Sequence, residues 1–123
     1  MEKIKKKVLA VDDEKYLTDL IVSFLEKDYE VYTANDDRIV KALFEAKKEE
    51  IGLIIMEMTM IKMSAIDIFL HFQKINPELK VIITIASFNR EVSDFFSSKK
   101  ECLGFFRKPF KREYFLEKVR EAL

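Results

Sequence analysis

The sequence contains a single cysteine, two glycines and no surplus of either charge. Because Cys102 has no partner, a disulfide within the chain is excluded, which fits a reducing compartment. Gly52 and Gly104 are too few for either glycine-rich nucleotide fingerprint. The 22 acidic and 22 basic residues balance, so no net charge attracts nucleic acid or anionic membrane. We therefore expect neither of these as a direct partner.

Long apolar runs are also missing. No stretch is long enough to span a bilayer, and lysines interrupt the N-terminal segment where a signal peptide would be apolar. We expect a soluble cytoplasmic protein. About half of the residues, 49%, are nevertheless apolar, which argues against disorder. A chain of 123 residues suits one domain, 1–123, with a core of its own.

Short apolar runs alternate with helical patterns along the chain. The runs predict strands at 8–11, 31–34, 53–56, 81–85 and 103–106. The first, third and fourth are almost wholly aliphatic, as in strands buried on both faces. Strand followed by helix, five times over, predicts a parallel sheet covered on both sides and joined by right-handed crossovers.

The intervening helices are predicted from apolar stripes at helical spacing. The stripes are Leu17, Leu20, Ile21, Phe24 and Leu25; Ile39, Val40 and Leu43; Ala65, Ile68, Phe69, Phe72 and Ile75; a segment at 90–97; and, from residue 111 onward, Phe115, Leu116, Val119 and Leu123. Asn35 or Asp36 is placed to cap the second helix, and Ser64 with Asp67 resembles a capping box before the third.

Polar residues follow the strands at one edge of the predicted sheet. Asp12 and Asp13 follow the first strand, Glu57 ends the third, and Lys108 follows the fifth. Ligands of open parallel sheets bind beyond the carboxyl ends of the strands. Clustered acids repel unless a cation intervenes, and Mg²⁺ accepts a few carboxylates plus water. This combination favours a site for Mg²⁺ and a phosphoryl group; the alternative is that the acids only cap the helices that follow.

Three motifs resemble the receiver domain of two-component response regulators. "VLAVDDE" is similar to the opening strand and acidic pair of that family, "LIIMEMTMIKMSAID" to its phosphoacceptor strand and loop, and "FFRKPF" to its lysine–proline signature. The likeness covers essentially the whole chain. It implies a (βα)5 doubly wound, flavodoxin-like α/β fold with strand order 2-1-3-4-5, and a histidine kinase or other signalling protein as the partner.

The resemblance also implies roles for individual residues. Glu57 stands at the phosphoacceptor position, and Asp12, Asp13, Glu57 and the carbonyl of Thr59 would hold Mg²⁺. Lys108 would contact phosphate, with its bond to Pro109 cis. Ile85 and Phe105 stand at the two switch positions, which normally carry a hydroxyl and an aromatic residue.

Several positions depart from the family pattern. The acceptor is Glu57 rather than aspartate, and Ile85 replaces the hydroxyl residue that ends strand four. Ile61 and Ala65 replace the proline and glycine of the acceptor loop. Thr84 or Ser87 could offer a hydroxyl instead, but side chains alternate along a strand, so we expect Thr84 to point to the other face.

We therefore favour a degenerate, phosphorylation-independent receiver that is not an enzyme. The alternative is a working receiver in which Glu57 is a local oddity, and a remote one is a small flavodoxin-like enzyme. Mg²⁺ binding is expected to persist through the remaining oxygens or to weaken because glutamate is longer. The methionines near Glu57 and the lone His71 are interpreted as packing and surface residues.

The segment "VSDFFSSKKECLGFFRKPFKREYF" contains seven aromatic residues. In receivers, the face made by helix four, strand five and helix five is the usual partner surface. Two interpretations stay open, burial of most of these rings or an exposed patch. An exposed patch would receive a kinase, an output domain or a second copy of the chain in a homodimer.

Overall fold

The computed structural model describes residues 6–123, in which five strands alternate with five helices. The strands are β1 (Lys7–Val11), β2 (Val31–Ala34), β3 (Ile51–Glu57), β4 (Lys80–Ile85) and β5 (Cys102–Arg107). The helices are α1 (Lys15–Leu25), α2 (Asp37–Lys47), α3 (Ala65–Gln73), α4 (Arg90–Ser97) and α5 (Arg112–Ala122). All neighbouring strands are parallel, in the order β2-β1-β3-β4-β5. The predicted doubly wound α/β fold and its strand order are confirmed.

The sheet separates two apolar clusters, because alternate strand residues face opposite sides. One cluster, here the α2–α4 cluster, packs Leu9, Met56 and Ile83 of the strands against α2, α3 and α4. The other, the α1–α5 cluster, packs Ile55 and Ile82 against α1 and α5. Every residue of β3 is buried, as expected of the central strand of a sheet covered on both faces.

Three helices begin at side-chain caps. The carboxylate of Asp36 accepts from the amide of Ile39 at 2.9 Å, and the hydroxyl of Ser64 accepts from the amide of Asp67 at 3.2 Å. The side-chain oxygen of Asn89 accepts from the amide of Val92 at 3.0 Å. Each cap satisfies an amide that has no partner inside its own helix. Of the two caps proposed for α2, Asp36 is therefore the one used.

Some predicted inward positions are wrong. Leu123 is 39% exposed, and Ile75, which was placed on the third helical stripe, lies beyond the end of α3 at Gln73 and is 42% exposed. Leu20 and Ile39 are also exposed, at the margins of their stripes. A stripe identifies the helix, but its outermost residues face solvent where no neighbouring element covers them.

The methionines and His71 lie where packing predicts. Met56 and Met58 are buried in the α2–α4 cluster, and Met60 and Met63 pack against its edge. His71 is exposed on α3, with its ring 4.7 Å from that of Phe44. No helix of the described residues is long and apolar enough to cross a membrane.

Candidate functional site

Lys108 joins two of the three carboxylates at the carboxyl edge of the sheet. Its Nζ lies 2.9 Å from Oδ2 of Asp12 and 2.7 Å from Oε2 of Glu57. The lysine side chain is 14% exposed and both carboxylate side chains are 4% exposed. The strand order explains this contact. β1 and β3 are neighbours, which places Asp12 beside Glu57, and Lys108, which follows β5, reaches both across the end of β4.

The ion triad of Asp12, Lys108 and Glu57 shifts the basicity of the lysine. Burial alone would lower the pKa of the Lys108 ammonium. Hydrogen bonds to Glu57 and Asp12 outweigh that effect and raise the pKa above its usual value. The ammonium therefore stays charged at neutral pH, and it stabilises two carboxylates that would otherwise repel each other.

The Glu57 carboxylate is held by four donors in all. Besides Lys108, its Oε2 accepts from the hydroxyl of Thr84 at 3.1 Å. Its Oε1 accepts from the amide of Ala86 at 3.0 Å and from the amide of Thr59 at 3.4 Å. Such an arrangement stabilises an anion at the end of the Glu57 side chain, because all four groups direct hydrogens toward it.

The expectation that Thr84 faces away from the site is wrong. Thr84 pairs in register with Glu57, as Ile82 does with Ile55, so both polar side chains lie on the α1–α5 side of the sheet. Ile85, one residue further, is buried in the α2–α4 cluster instead. The hydroxyl that reaches Glu57 thus comes from Thr84, the residue before Ile85. The pairing of β3 with β4 explains this contact, whereas the spacing of the family motif points to Ile85.

Asp13 has one engaged and one free oxygen. Its Oδ2 accepts from the amide of Ile61 at 2.7 Å, which ties the β3–α3 loop to the end of β1. Its Oδ1 is buried and has no hydrogen-bond partner within residues 6–123. Asp12 is more fully engaged, since its Oδ1 accepts from the amide of Glu14 at 3.0 Å while Oδ2 contacts Lys108.

The free oxygen of Asp13 is the observation that fits a divalent cation. A buried carboxylate oxygen without a donor is costly unless a cation or water reaches it. Mg²⁺ keeps several waters and takes only one or two carboxylates from the protein. Over the described part of the chain, however, no three acidic, histidine or cysteine residues surround one metal position. The residues at this edge therefore fit Mg²⁺ only in part: Asp13 offers a free carboxylate oxygen, whereas Asp12 and Glu57 pair with Lys108.

Asn35 is a further polar residue at this edge, and its contact with the backbone of Asp12 was not predicted from the sequence. Its side-chain amide donates to the carbonyl of Asp12 at 2.8 Å and to the hydroxyl of Thr18 at 3.0 Å. Its position directly after β2 was a usable signal, because it delivers a polar group to the same edge as Asp12. The backbone amides of Thr59, Ile61 and Ala86 carry no such signal, since every residue except proline has one.

The remaining predicted residues lie around this edge. The Lys108–Pro109 bond is cis, and the amide of Lys108 donates to the carbonyl of Ile85 at 3.0 Å. Phe105 pairs in register with Ile83 and is 37% exposed. Thr59 contributes its amide to Glu57 and its hydroxyl to the carbonyl of Ser87.

Comparison with protein families gives one match. The model of the response regulator receiver domain matches residues 8–120. No curated protein matches the chain.

Solved structures show the same architecture. A receiver domain from Clostridium thermocellum is 27% identical with a TM-score of 0.79, covering 95% of this chain and 93% of its own. A CheY-like receiver from Methanospirillum hungatei JF-1 is 24% identical with a TM-score of 0.80, at 95% and 92% coverage. The chemotaxis protein CheY4 of Vibrio cholerae is 23% identical with a TM-score of 0.77, at 97% and 99% coverage.

Proposed function

Since the chain belongs to the response regulator receiver domain family, we propose that it serves two-component signalling as a pseudo-receiver. In this role it binds other proteins without normal phosphorylation of the acceptor position. Receiver domains are signalling modules rather than catalytic enzymes, and they generally bind Mg²⁺ at the acidic site. The proposal concerns what Glu57 changes in that general scheme.

The observation that carries the proposal is the set of donors on the Glu57 carboxylate. Lys108, Thr84 and the amide of Ala86 contact it at 2.7, 3.1 and 3.0 Å. A glutamate extends about 1.5 Å further than an aspartate, by ordinary bond lengths. We infer that its carboxylate takes the place in which Lys108 would contact a phosphoryl oxygen, and that it supplies negative charge there without phosphorylation.

The same contacts oppose phosphorylation of Glu57. To attack a phosphodonor, the carboxylate must leave a buried ion pair and several hydrogen bonds, which costs free energy. Its extra methylene also displaces the attacking oxygen, and a shift of about 1 Å lowers a positioned reaction on the order of 100-fold. Glu57 is therefore proposed as a partial mimic of the phosphorylated state rather than as an acceptor.

Mg²⁺ binding is proposed to persist in weakened form. Asp13 would hold the ion through its free Oδ1, with the carbonyl of Thr59 as a further ligand. The ion would supply positive charge next to an incoming phosphoryl group. Because Glu57 and Asp12 already form ion pairs with Lys108, their carboxylates are less available to the metal than in a site with an unpaired acceptor.

Receiver domains interact with histidine kinases and other signalling proteins. For this chain we propose the face made by α4, β5 and α5 as the partner surface, with a second copy of the chain as one candidate occupant. The cytoplasm is the proposed location. The single free cysteine, Cys102, fits a reducing compartment, and a kinase partner would be met there.

A working receiver is the second candidate, and one observation favours it. Lys108 contacts Asp12 at the carboxyl edge, and Oδ1 of Asp13 has no hydrogen-bond partner among residues 6–123, so the residues that the family resemblance assigns to metal and phosphate lie together. In that case a carboxylate oxygen of Glu57 would bond to phosphorus while the bond between phosphorus and the donor breaks. Acetyl phosphate would then leave acetate, and the phosphohistidine of a kinase would leave histidine.

Intact mass after incubation with Mg²⁺ and acetyl phosphate tests the proposal. We expect no phosphoryl gain on the native protein. Glu57→Asp shortens the side chain and should restore acceptance, because Asp12, Asp13 and Lys108 are unchanged. Glu57→Gln removes the nucleophilic oxygen and is the matched control.

The three masses discriminate between the two candidates. A phosphoryl gain on the native protein that disappears in Glu57→Gln would establish Glu57 as an acceptor and overturn the pseudo-receiver. A gain on Glu57→Asp alone would show that glutamate itself silences an intact pocket. No gain on either would mean that other departures, Ile85 first among them, have also removed the phosphate chemistry.

A further inference from the structure

Two loops at the carboxyl edge are joined by side chains directly after Glu57. The hydroxyl of Thr59 donates to the carbonyl of Ser87 at 2.8 Å, and the amide of Asn89 donates to the thioether sulfur of Met58 at 3.2 Å. The amide of Met58 also donates to the carbonyl of Thr84 at 2.8 Å. Residues 58–59 of the β3–α3 loop thereby hold residues 84–89 at three places, and we name these contacts the loop clasp.

The clasp ends at Asn89, the residue that caps α4. Asn89 caps this helix through its side-chain oxygen, and its carbonyl accepts from the amide of Ser93 at 2.9 Å. Met58 is only 2% exposed, so the sulfur that holds Asn89 is fixed by packing. A displacement of residues 58–59 would therefore move the N-terminus of α4.

The other end of the clasp lies on Glu57. The amide of Ala86, inside the clasped segment, donates to Oε1 of Glu57, and the amide of Thr59 approaches the same oxygen. The contacts that hold the β4–α4 segment against residues 58–59 therefore also keep the amides of Ala86 and Thr59 at the Glu57 carboxylate. No phosphoryl group is needed to complete it.

We propose that Thr59 and Met58 are positioning residues that hold the β4–α4 segment closed on Glu57 and so preset α4 for its partner. The inference rests on the proposed pseudo-receiver function, in which the partner meets an α4 whose position does not depend on phosphorylation. It gives the Thr59 hydroxyl a role separate from the one proposed for the carbonyl of the same residue in holding Mg²⁺.

Hydrogen exchange of the whole 123-residue chain, measured by NMR without phosphodonor, tests the clasp. Thr59→Val removes the hydroxyl and keeps the side-chain shape, whereas Thr59→Ser keeps the hydroxyl. We expect the amides of Val92 and Ser93 to exchange about threefold to tenfold faster in Thr59→Val, as the loss of one hydrogen bond predicts for local opening. Thr59→Ser should retain the native rates.

Core amides separate local opening from general destabilisation. Amides of β1 and β3 should keep their native exchange rates in Thr59→Val. Native rates at Val92 and Ser93 in that variant, or equal acceleration throughout the sheet, would overturn the clasp. Met58→Leu, which keeps the volume but lacks the sulfur, should accelerate the amide of Asn89 itself.

The exchange and mass experiments fail independently. If acetyl phosphate modifies native Glu57, the pseudo-receiver function is wrong, while the exchange data still report whether the clasp exists. If Thr59→Val leaves α4 unaltered, the clasp is wrong, while the absence of a phosphoryl gain still supports the pseudo-receiver.

Discussion

Lys108 has a structural role at this site that does not depend on phosphate. The Asp12 and Glu57 side chains are almost fully buried, and each of them contacts the Lys108 ammonium. Removing one partner from a buried ion pair leaves an uncompensated charge, which costs far more than the net contribution of the pair. The negative charge of Glu57 is therefore tolerated because Lys108 and three hydrogen-bond donors accompany it.

Thr84 is the residue whose contribution can be isolated most simply. Its hydroxyl is the one side-chain hydroxyl on the Glu57 carboxylate among the described residues, and the residue is 1% exposed. We predict that Thr84→Val destabilises the fold by about 2 kcal/mol, because a hydrogen bond to a charged acceptor is lost in a buried place. Urea unfolding at neutral pH gives the free energy of unfolding.

Thr84→Ser is the control for this prediction, since it keeps the hydroxyl and loses only a methyl group. Ile85→Val, at the neighbouring buried position, reports the cost of removing one methylene without touching Glu57. If Thr84→Val proves as stable as Thr84→Ser, the hydroxyl does not hold Glu57, and the four-donor account of the carboxylate is incorrect.

At the scale of elements, β3 depends on a glycine close to its start. A Cβ added at Gly52 would lie 2.6 Å from Cβ of Lys6 and 3.0 Å from the side chain of Leu123. The first neighbour is rooted in the backbone and cannot rotate away. Gly52 thus permits the close approach of the chain segment before β1 and of the C-terminus to the central strand.

We predict that Gly52→Ala lowers the free energy of unfolding by about 1–3 kcal/mol, the usual cost of overpacking a tight position. Chemical denaturation provides the value, and hydrogen exchange in β1 and β3 locates the disturbance. Native stability in Gly52→Ala would show that residue 6 and the C-terminus yield freely, so that the close approach is not required.

Much of the element pattern was predictable, because short aliphatic runs and helical stripes differ in period. The boundaries were less so: β3 extends over Ile51–Glu57, beyond the predicted 53–56 at both ends. Gly52 hides this extension, since it breaks an apolar run. Strand ends are set by pairing with β1 and β4, which apolarity alone does not report.

The site was predictable where a strand ends in a charged residue. Asp12, Glu57 and Lys108 were placed at one edge on that ground, and the structure brings them within ion-pair distance. The side of the sheet on which Thr84 lies was predicted wrongly, because alternation was counted from Ile85, the position at which the family carries its hydroxyl. Thr84 in fact pairs in register with Glu57 and lies on the same side of the sheet. The amides of Ala86, Thr59 and Ile61 were not predictable, since any sequence offers such donors.

Across the whole molecule, the aromatic residues of the C-terminal part divide between the two apolar clusters. Phe95 and Phe96 pack with Phe69 on the α2–α4 side, whereas Phe106, Phe110 and Phe115 pack together on the α1–α5 side. The sequence left burial and an exposed patch open. Five of the seven rings are buried or partly buried, and the other two, Phe105 and Tyr114, are exposed.

These two rings alone supply too little apolar surface for a stable homodimer. An aromatic side chain buries about 150–250 Å² when fully covered, and a standard interface needs about 800 Å² on each partner. Phe105 and Tyr114 expose only 37% and 58% of their surface, so their apolar contribution is a small fraction of that need. The face made by α4, β5 and α5 is better suited to a transient partner that adds apolar surface of its own.

We predict a monomer whose mass in sedimentation equilibrium stays constant between about 1 μM and about 100 μM, because a small apolar patch gives at most weak self-association. The balanced charge of the chain offers little repulsion between copies, so non-specific association must be distinguished from pairing. Pairing would saturate at twice the monomer mass, and combined Phe105→Ser and Tyr114→Ser substitutions would abolish it. Such a result would contradict the area argument and make a second copy of the chain the occupant of this face, whereas a constant mass leaves that face free for a different protein.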